Sequence, residues 1–162
     1  MIDPTALDGF LRDRRVAILS IPREGKAPLS APIWYDWDGH AFRFQVEATS
    51  AKARLLARRG PVPVSVTVQS EVPPYRYAVA YGPATLGPSV PGLRDRVAHR
   101  YFGKTAGNMY LKQERNAGRT DDALRSIVVV PERFTGHDFA PEAGLTGRLY
   151  FAVWRLFRPV PA

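Results

Sequence analysis

Period-two alternation, broken at short intervals by proline and glycine, is the feature that most restricts what this chain can fold into. Phe42, Phe44 and Val46 alternate with Arg43 and Gln45, and Val62-Pro63-Val64-Ser65-Val66-Thr67-Val68 repeats the pattern. Such spacing puts every second side chain on one face of a strand, so one face is apolar and the other wet. After the Pro73-Pro74 break, Tyr75, Tyr77, Val79 and Tyr81 alternate with smaller residues as far as Leu86. This predicts packing within the sheet for at least two of the three tyrosines. Val16–Ile21 is a β-branched run expected to end at Pro22, and Ser126–Val130 is another, with an extension through Phe134. Pro28 to Trp37 reads as one extended run that stops at Asp38-Gly39, a two-residue hairpin signal leading into His40–Val46.

Helical signals are fewer. Pro4 at a first helical position after Asp3, with Leu7, Phe10 and Leu11 at spacings of three and four, predicts a short amphipathic N-terminal helix. Thr49-Ser50 supplies a capping hydroxyl for residues 51–59, which carry basic side chains toward their end and stop at Gly60. Residues 93–102, 110–116 and 145–157 also read as helical. About six strands, one helix between the third and fourth, and no repeating strand–helix unit predict a mainly β, α+β domain built as a small antiparallel barrel with flanking helices. One domain is expected, residues 1–140, with residues 141–162 as a helical appendage of it.

The composition narrows the chemistry. No cysteine occurs, which removes thiol nucleophiles, cysteine zinc sites and iron–sulfur clusters and makes a reducing cytoplasm the expected compartment. His40, His99 and His137 stand on three separate elements without a second ligand at helical spacing, so no metal site is expected. Asp36/Asp38 and Asp121/Asp122 fall in turn-like contexts, where aspartate serves local backbone hydrogen bonding. Phosphate-loop, dinucleotide, zinc-protease and nucleophile-elbow motifs are absent from the sequence. A formal charge of +8 favours an anionic partner.

Ser50-Ala51-Lys52-Ala53-Arg54 brings a hydroxyl, an ammonium and a guanidinium to a helix start, where free N–H groups and the dipole favour an anion. It follows directly on the aromatic-rich segment Pro32-Ile33-Trp34-Tyr35-Asp36-Trp37 and the strand Phe42–Val46, which offer apolar faces and backbone hydrogen bonds to a planar ring. A flat heterocycle beside a phosphate site is what a nucleotide-like cofactor needs.

In these residues the chain resembles the pyridoxamine 5′-phosphate oxidase-like superfamily of flavin- and deazaflavin-dependent oxidoreductases. The resemblance runs from Leu7 to Leu86 through the Pro-x-Trp-Tyr-x-x-Asp-Gly segment, the Ser-x-Lys helix start, a valine-rich strand and a tyrosine-bearing strand ending in Gly82. It implies a six-stranded antiparallel split β-barrel, a homodimer, and FMN or the deazaflavin coenzyme F-420 bound between subunits. On the same footing Ser50 and Lys52 match the family's phosphate-binding pair, and Pro32, Ile33 and Trp34 match the strand lining the ring. Gln45 and Val46 match the strand end beside the ring and ribityl chain. Where many relatives have arginine this chain has Ala51, which passes the second cation to Arg54. Gly136-His137-Asp138-Phe139 stands where relatives often have an aromatic-Asp-Phe strand ending.

The expected activity is hydride transfer to or from a small organic substrate, with no catalytic side chain assigned; Tyr75, Tyr77 and Tyr81 are the candidates for a proton donor. A non-catalytic flavin- or haem-binding barrel stays open as the alternative. Nucleic acid is not the expected partner, because the basic residues cluster on helices and turns instead of alternating with strand aromatics. Leu145, Leu149, Val153 and Leu156 share a helical stripe that either packs on the barrel or makes peripheral contact with a membrane surface.

Overall fold

The computed structural model describes residues 4–139 together with residues 144, 145, 149, 152 and 153. The predicted C-terminal helix and appendage lie mostly outside the described residues. Helix α1 (Pro4–Arg12) buries Phe10 and Leu11 and leads into β1 (Ala17–Arg23) and β2 (Lys26–Ile33). A short β3 (Asp36–Trp37) and β4 (Phe42–Glu47) follow, then α2 (Ala51–Ala57), β5 (Val62–Gln69), β6 (Arg76–Pro88), α3 (Leu93–Asn116), β7 (Leu124–Val129) and β8 (Arg133–Asp138). Hydrogen-bonded neighbours run β2-β1-β5-β6-β7-β4-β3, all antiparallel, and β8 also pairs with β6.

The two ends of that path are β2 and β3, which only Trp34 and Tyr35 separate in sequence. Three Cα steps reach at most about 11 Å, so the sheet has to roll until its edges approach. This makes it a barrel, with the open seam at β2 and β3. Inside lie Leu19, Ile21, Phe42, Phe44, Val64, Val66, Val68, Ile127 and Val129, joined in the same core by Leu11 of α1 and Leu56 of α2.

Eight strands stand where about six were expected, because two extended runs are interrupted. Residues 28–37 divide at Trp34–Tyr35, with the first part pairing β1 and the second pairing β4. The β7–β8 run keeps its direction along β6 but gains a residue: Ala84 faces Val129 and Tyr81 faces Arg133, so two residues of β6 oppose three of the partner. That bulge carries Val130 against Gly82, where an added Cβ would lie 2.2 Å from the Val130 carbonyl oxygen. The Glu132 N–H closes the bulge onto the Tyr81 carbonyl at 2.8 Å.

Other expectations change in detail. Trp37 pairs with Phe42, so the Asp38-Gly39 turn is a four-residue loop, and the Asp38 carboxylate closes it by accepting the N–H groups of His40 and Ala41 at 2.9 and 2.8 Å. Pro22 does not end β1; it falls in the irregularity between Ile21 and Arg23, beyond the pairing with β5, where a missing N–H is tolerated. On β6 the small residues Ala78, Ala80 and Ala84 face the core while Tyr77, and Tyr75 just before the strand, are 39% and 53% exposed. Phe42, Phe44, Tyr35 and Trp37 already fill the barrel, so the strand opposite them must be thin. Among the described residues no helix is long and apolar enough to cross a membrane.

Gly82→Ala is expected to lower stability by roughly 1–3 kcal/mol through overpacking of the bulge. Gly87→Ala, where nothing lies within 4 Å of the added carbon, should change it far less. Urea unfolding of the two variants measures both.

Candidate functional site

The end of β2 and the second half of β4 face each other across the seam. Ile33 and Trp34 from one side and Gln45, Val46 and Thr49 from the other line a cavity of about 560 Å³. β3 pairs only with Phe42 and Arg43, and β2 pairs only with β1 among the described residues. The seam-side backbone groups near Ile33 and Gln45–Glu47 are therefore not used by a neighbouring strand, and edges of this kind recruit a partner.

Helix α3 covers the opening and fixes the strand crossing beneath it. The Trp34 ring stacks on Tyr101 with centroids 4.8 Å apart and planes 13° apart, and meets Phe102 edge-on. The Tyr35 N–H donates to the Tyr101 hydroxyl at 3.1 Å, which in turn donates to the Arg15 carbonyl at 2.6 Å. The Tyr35 hydroxyl donates to the Leu11 carbonyl, and Arg100 lies over the Tyr35 ring while capping the end of α1 through the Leu11 and Asp13 carbonyls. Burial raises the Tyr35 and Tyr101 phenols above their ordinary pKa, so both keep the proton these bonds use.

α3 is not one rod. Gly103 has φ 76° and ψ 172°, a backbone that favours glycine, and the chain folds back there. The returning half packs Gly107 against His99 and the Ala98 carbonyl, where a Cβ would lie 2.7 and 3.2 Å away, and His99 hydrogen-bonds Asn108 at 2.7 Å. The predicted separate helices at 93–102 and 110–116 are the two arms of this hairpin. Together they set Arg94, Val97, Tyr110 and Glu114 on the cavity wall, and Arg119 follows from the loop beyond. Glu114 accepts from Arg119 at 2.8 Å and pairs with Arg94 at 3.5 Å, and Arg94 also reaches Asp121 at 3.3 Å. With Arg94 and Glu114 only 13% and 15% exposed, the pair is mostly withdrawn from water and each partner depends on the other. Burial, and then the neighbouring Glu114 carboxylate, raises the Tyr110 phenol, which stays protonated at neutral pH.

Of the eight residues singled out in the sequence, Ile33, Trp34, Gln45 and Val46 meet at this cavity. Pro32 lies one residue back on β2, exposed and opposite Ile18. Ser50 caps α2 by accepting the Ala53 N–H at 3.2 Å. Lys52 lines neither this cavity nor the neighbouring concavity to which Arg54 belongs. Arg94, Tyr101, Tyr110 and Glu114 fall in segments that the sequence marks only as helical, although the Tyr101-Phe102-Gly103 sequence, two aromatics before a helix-breaking glycine, is a sign of a packed turn. No group of three metal-ligating side chains occurs among the described residues.

Tyr101→Phe removes the acceptor of the Tyr35 N–H and the donor to the Arg15 carbonyl. A loss of about 1–3 kcal/mol is expected from leaving these half-buried groups unpaired, read as a shifted urea midpoint with unchanged slope.

The sequence matches no family profile and no curated protein. Its fold matches solved structures throughout. The conserved hypothetical protein Rv2991 of Mycobacterium tuberculosis superposes with a TM-score of 0.67 at 18% identity, over 100% of this chain and 92% of the other. An F420 reductase gives 0.55 at 22% identity over 79% and 94%. A candidate pyridoxamine 5′-phosphate oxidase from Listeria innocua gives 0.58 at 16% identity over 82% and 95%. With its rolled antiparallel sheet, open seam and flanking helices, the chain has the split-barrel fold of the pyridoxamine 5′-phosphate oxidase-like proteins.

Proposed function

We propose that this protein binds a flavin-type cofactor, FMN or coenzyme F-420, at the seam and serves as an oxidoreductase on a small organic substrate. The observation that carries the reading is the cavity itself, where two unpaired strand edges, an aromatic wall and a folded-back helix enclose about 560 Å³. That volume lies within the range of small-molecule sites, roughly 300–1,000 Å³. Likeness in fold to an F420 reductase and to a candidate pyridoxamine 5′-phosphate oxidase points the same way.

The residues present fit such a group. The backbone near Ile33–Trp34 and Gln45–Val46 would hold the ring edge, with the Trp34–Tyr101 stack keeping the β2 end in place. Lys52 forms no ion pair among the described residues, so its ammonium remains for a phosphate beside the α2 start, where Ser50 already orders the first turn. When bound, the cofactor supplies the hydride chemistry. The chain supplies position, exclusion of water beneath α3, and a proton held at the Tyr110 hydroxyl on the cavity wall.

The same reading makes the protein a homodimer. Cross-strand pairing places Ile18, Thr67, Val79 and Thr135 in one row and Gln69, Tyr77 and His137 in the next on the outer face of β1, β5, β6 and β8. Ile18 and Tyr77 there are 38% and 39% exposed. A face of mixed character with exposed Ile18 and Tyr77 on the outside of a sheet is a natural subunit contact.

Two measurements bear on this. Fluorescence titration with FMN and with coenzyme F-420 should show one of them binding, and Lys52→Ala should weaken it by roughly 1.5–3 kcal/mol, the range of a charge-assisted contact. Binding of neither cofactor removes the proposal. Light scattering at micromolar concentration should give twice the 18.0 kDa chain mass, and Tyr77→Glu should return it toward the single-chain value.

A further inference from the structure

A second concavity lies on the other side of the segment that joins β4 to α2. The β1–β2 hairpin and α2 enclose about 220 Å³ between Arg23, Leu29, Ala51, Arg54, Leu55 and Arg58, and none of these residues lines the seam cavity. Three guanidinium-bearing side chains thus surround one apolar floor made by Leu29 and Leu55.

Eight of the sixteen described arginines are neutralised locally. Arg12, Arg15, Arg43, Arg59, Arg76, Arg94, Arg96 and Arg119 each pair with a carboxylate. Arg23, Arg54 and Arg58 form no ion pair among the described residues, although Glu24 stands close enough to pair with Arg59 at 3.6 Å. Two of the three are instead oriented by backbone: Arg23 Nε donates to the Ala27 carbonyl at 2.7 Å and Arg54 Nη1 to the Thr49 carbonyl at 2.8 Å. Each of those bonds uses one of the five N–H groups of a guanidinium and leaves the rest to an incoming acceptor. Like charges held around one concavity repel each other, so an anion seated among them both attracts and relieves.

The geometry points to a second anion site, formed by Arg23, Arg54 and Arg58, that takes a phosphate group carried on an apolar body. Arginine forks match the oxygens of a phosphate better than lysines do. The concavity is several times the size of a bare phosphate, and Leu29 and Leu55 would meet the carrier. The site adjoins the α2 start proposed above for the cofactor phosphate but borders no part of the seam cavity, and Arg23 and Arg58 lie outside that assignment. The same chemistry is offered by a soluble organic phosphate and by the headgroup of an anionic lipid.

Calorimetric titration of the full chain with inorganic pyrophosphate, beside sedimentation with phosphatidic acid and with phosphatidylcholine vesicles, tests the site and separates the two sources. Saturable binding of pyrophosphate or of phosphatidic acid vesicles, weakened tenfold or more in the Arg23→Ala/Arg58→Ala double variant, is the expected result. Arg58→Lys keeps the charge without the fork and should weaken binding less than Arg58→Ala. Circular dichroism checks that the variants fold, and the double variant should keep wild-type affinity for FMN or coenzyme F-420. Lys52→Ala should leave pyrophosphate or vesicle binding intact. Absence of binding to either probe by the wild type, or binding unchanged in the arginine variants, overturns the proposal; so does binding lost in Lys52→Ala and kept in the double variant. Failure of the cofactor reading appears instead in the cofactor titration of the wild type.

Discussion

The crossing at Trp34–Tyr35 is the constraint on which the rest of the structure depends. Two residues carry the chain from one edge of the sheet to the other, and a β run of this length would otherwise continue straight. The crossing holds because Tyr101 satisfies the Tyr35 N–H and stacks on Trp34, while Tyr35 anchors its own hydroxyl on α1. A buried N–H without a partner costs about 1–3 kcal/mol, so a break in the strand ladder at this depth is stable only where another element supplies the acceptor. Helix α3 does so, and Arg96 adds an ion pair to Asp36 just beyond.

The same break creates the place where chemistry can occur. A closed barrel would have paired β2 with β4 and consumed their edges. With β3 reduced to Asp36–Trp37, the far half of β4 and the end of β2 remain unpaired toward the seam, and α3 folds over the gap at Gly103 instead of pairing with it. Backbone groups that would have been ladder partners are left facing the cavity. The Arg94–Glu114–Arg119 cluster then joins both arms of α3 to the loop beyond it and keeps the cavity wall in one arrangement.

Charge is distributed in two ways. Around α1, α3 and the β8 end, arginine is structural: it caps helix ends through Arg100, lies over the rings of Phe10, Tyr35 and Tyr81, and pairs with carboxylates. At the β1–β2 hairpin and α2, Arg59 pairs with Glu24 while Arg23, Arg54 and Arg58 form no ion pair among the described residues. Net charge alone does not distinguish these uses, because a basic total of +8 is compatible with either; the neighbours of each side chain decide.

What was legible in the sequence was whatever depends on near neighbours. Alternation in Phe42–Val46 and Val62–Val68 was enough to mark strands with one buried face, and Ser50 before a run of helix formers marked α2 together with its cap. Ile33, Trp34, Gln45 and Val46 were grouped as one site through the resemblance to the pyridoxamine 5′-phosphate oxidase-like proteins, which rests on the order of short segments along the chain. The tertiary structure alone decided three other matters. It chose the alanine face of β6 for the core, since the aromatics of β3 and β4 had already taken the volume. It divided residues 28–37 between two partners, because pairing is settled by which strands lie alongside and not by the run itself. And it brought Arg94, Tyr101, Tyr110 and Glu114 to the cavity, through a fold-back at Gly103 whose packing joins residues far apart in the chain. Periodicity records which way a side chain faces along its own strand or helix; what it faces depends on contacts between segments, and those form only when the chain closes on itself.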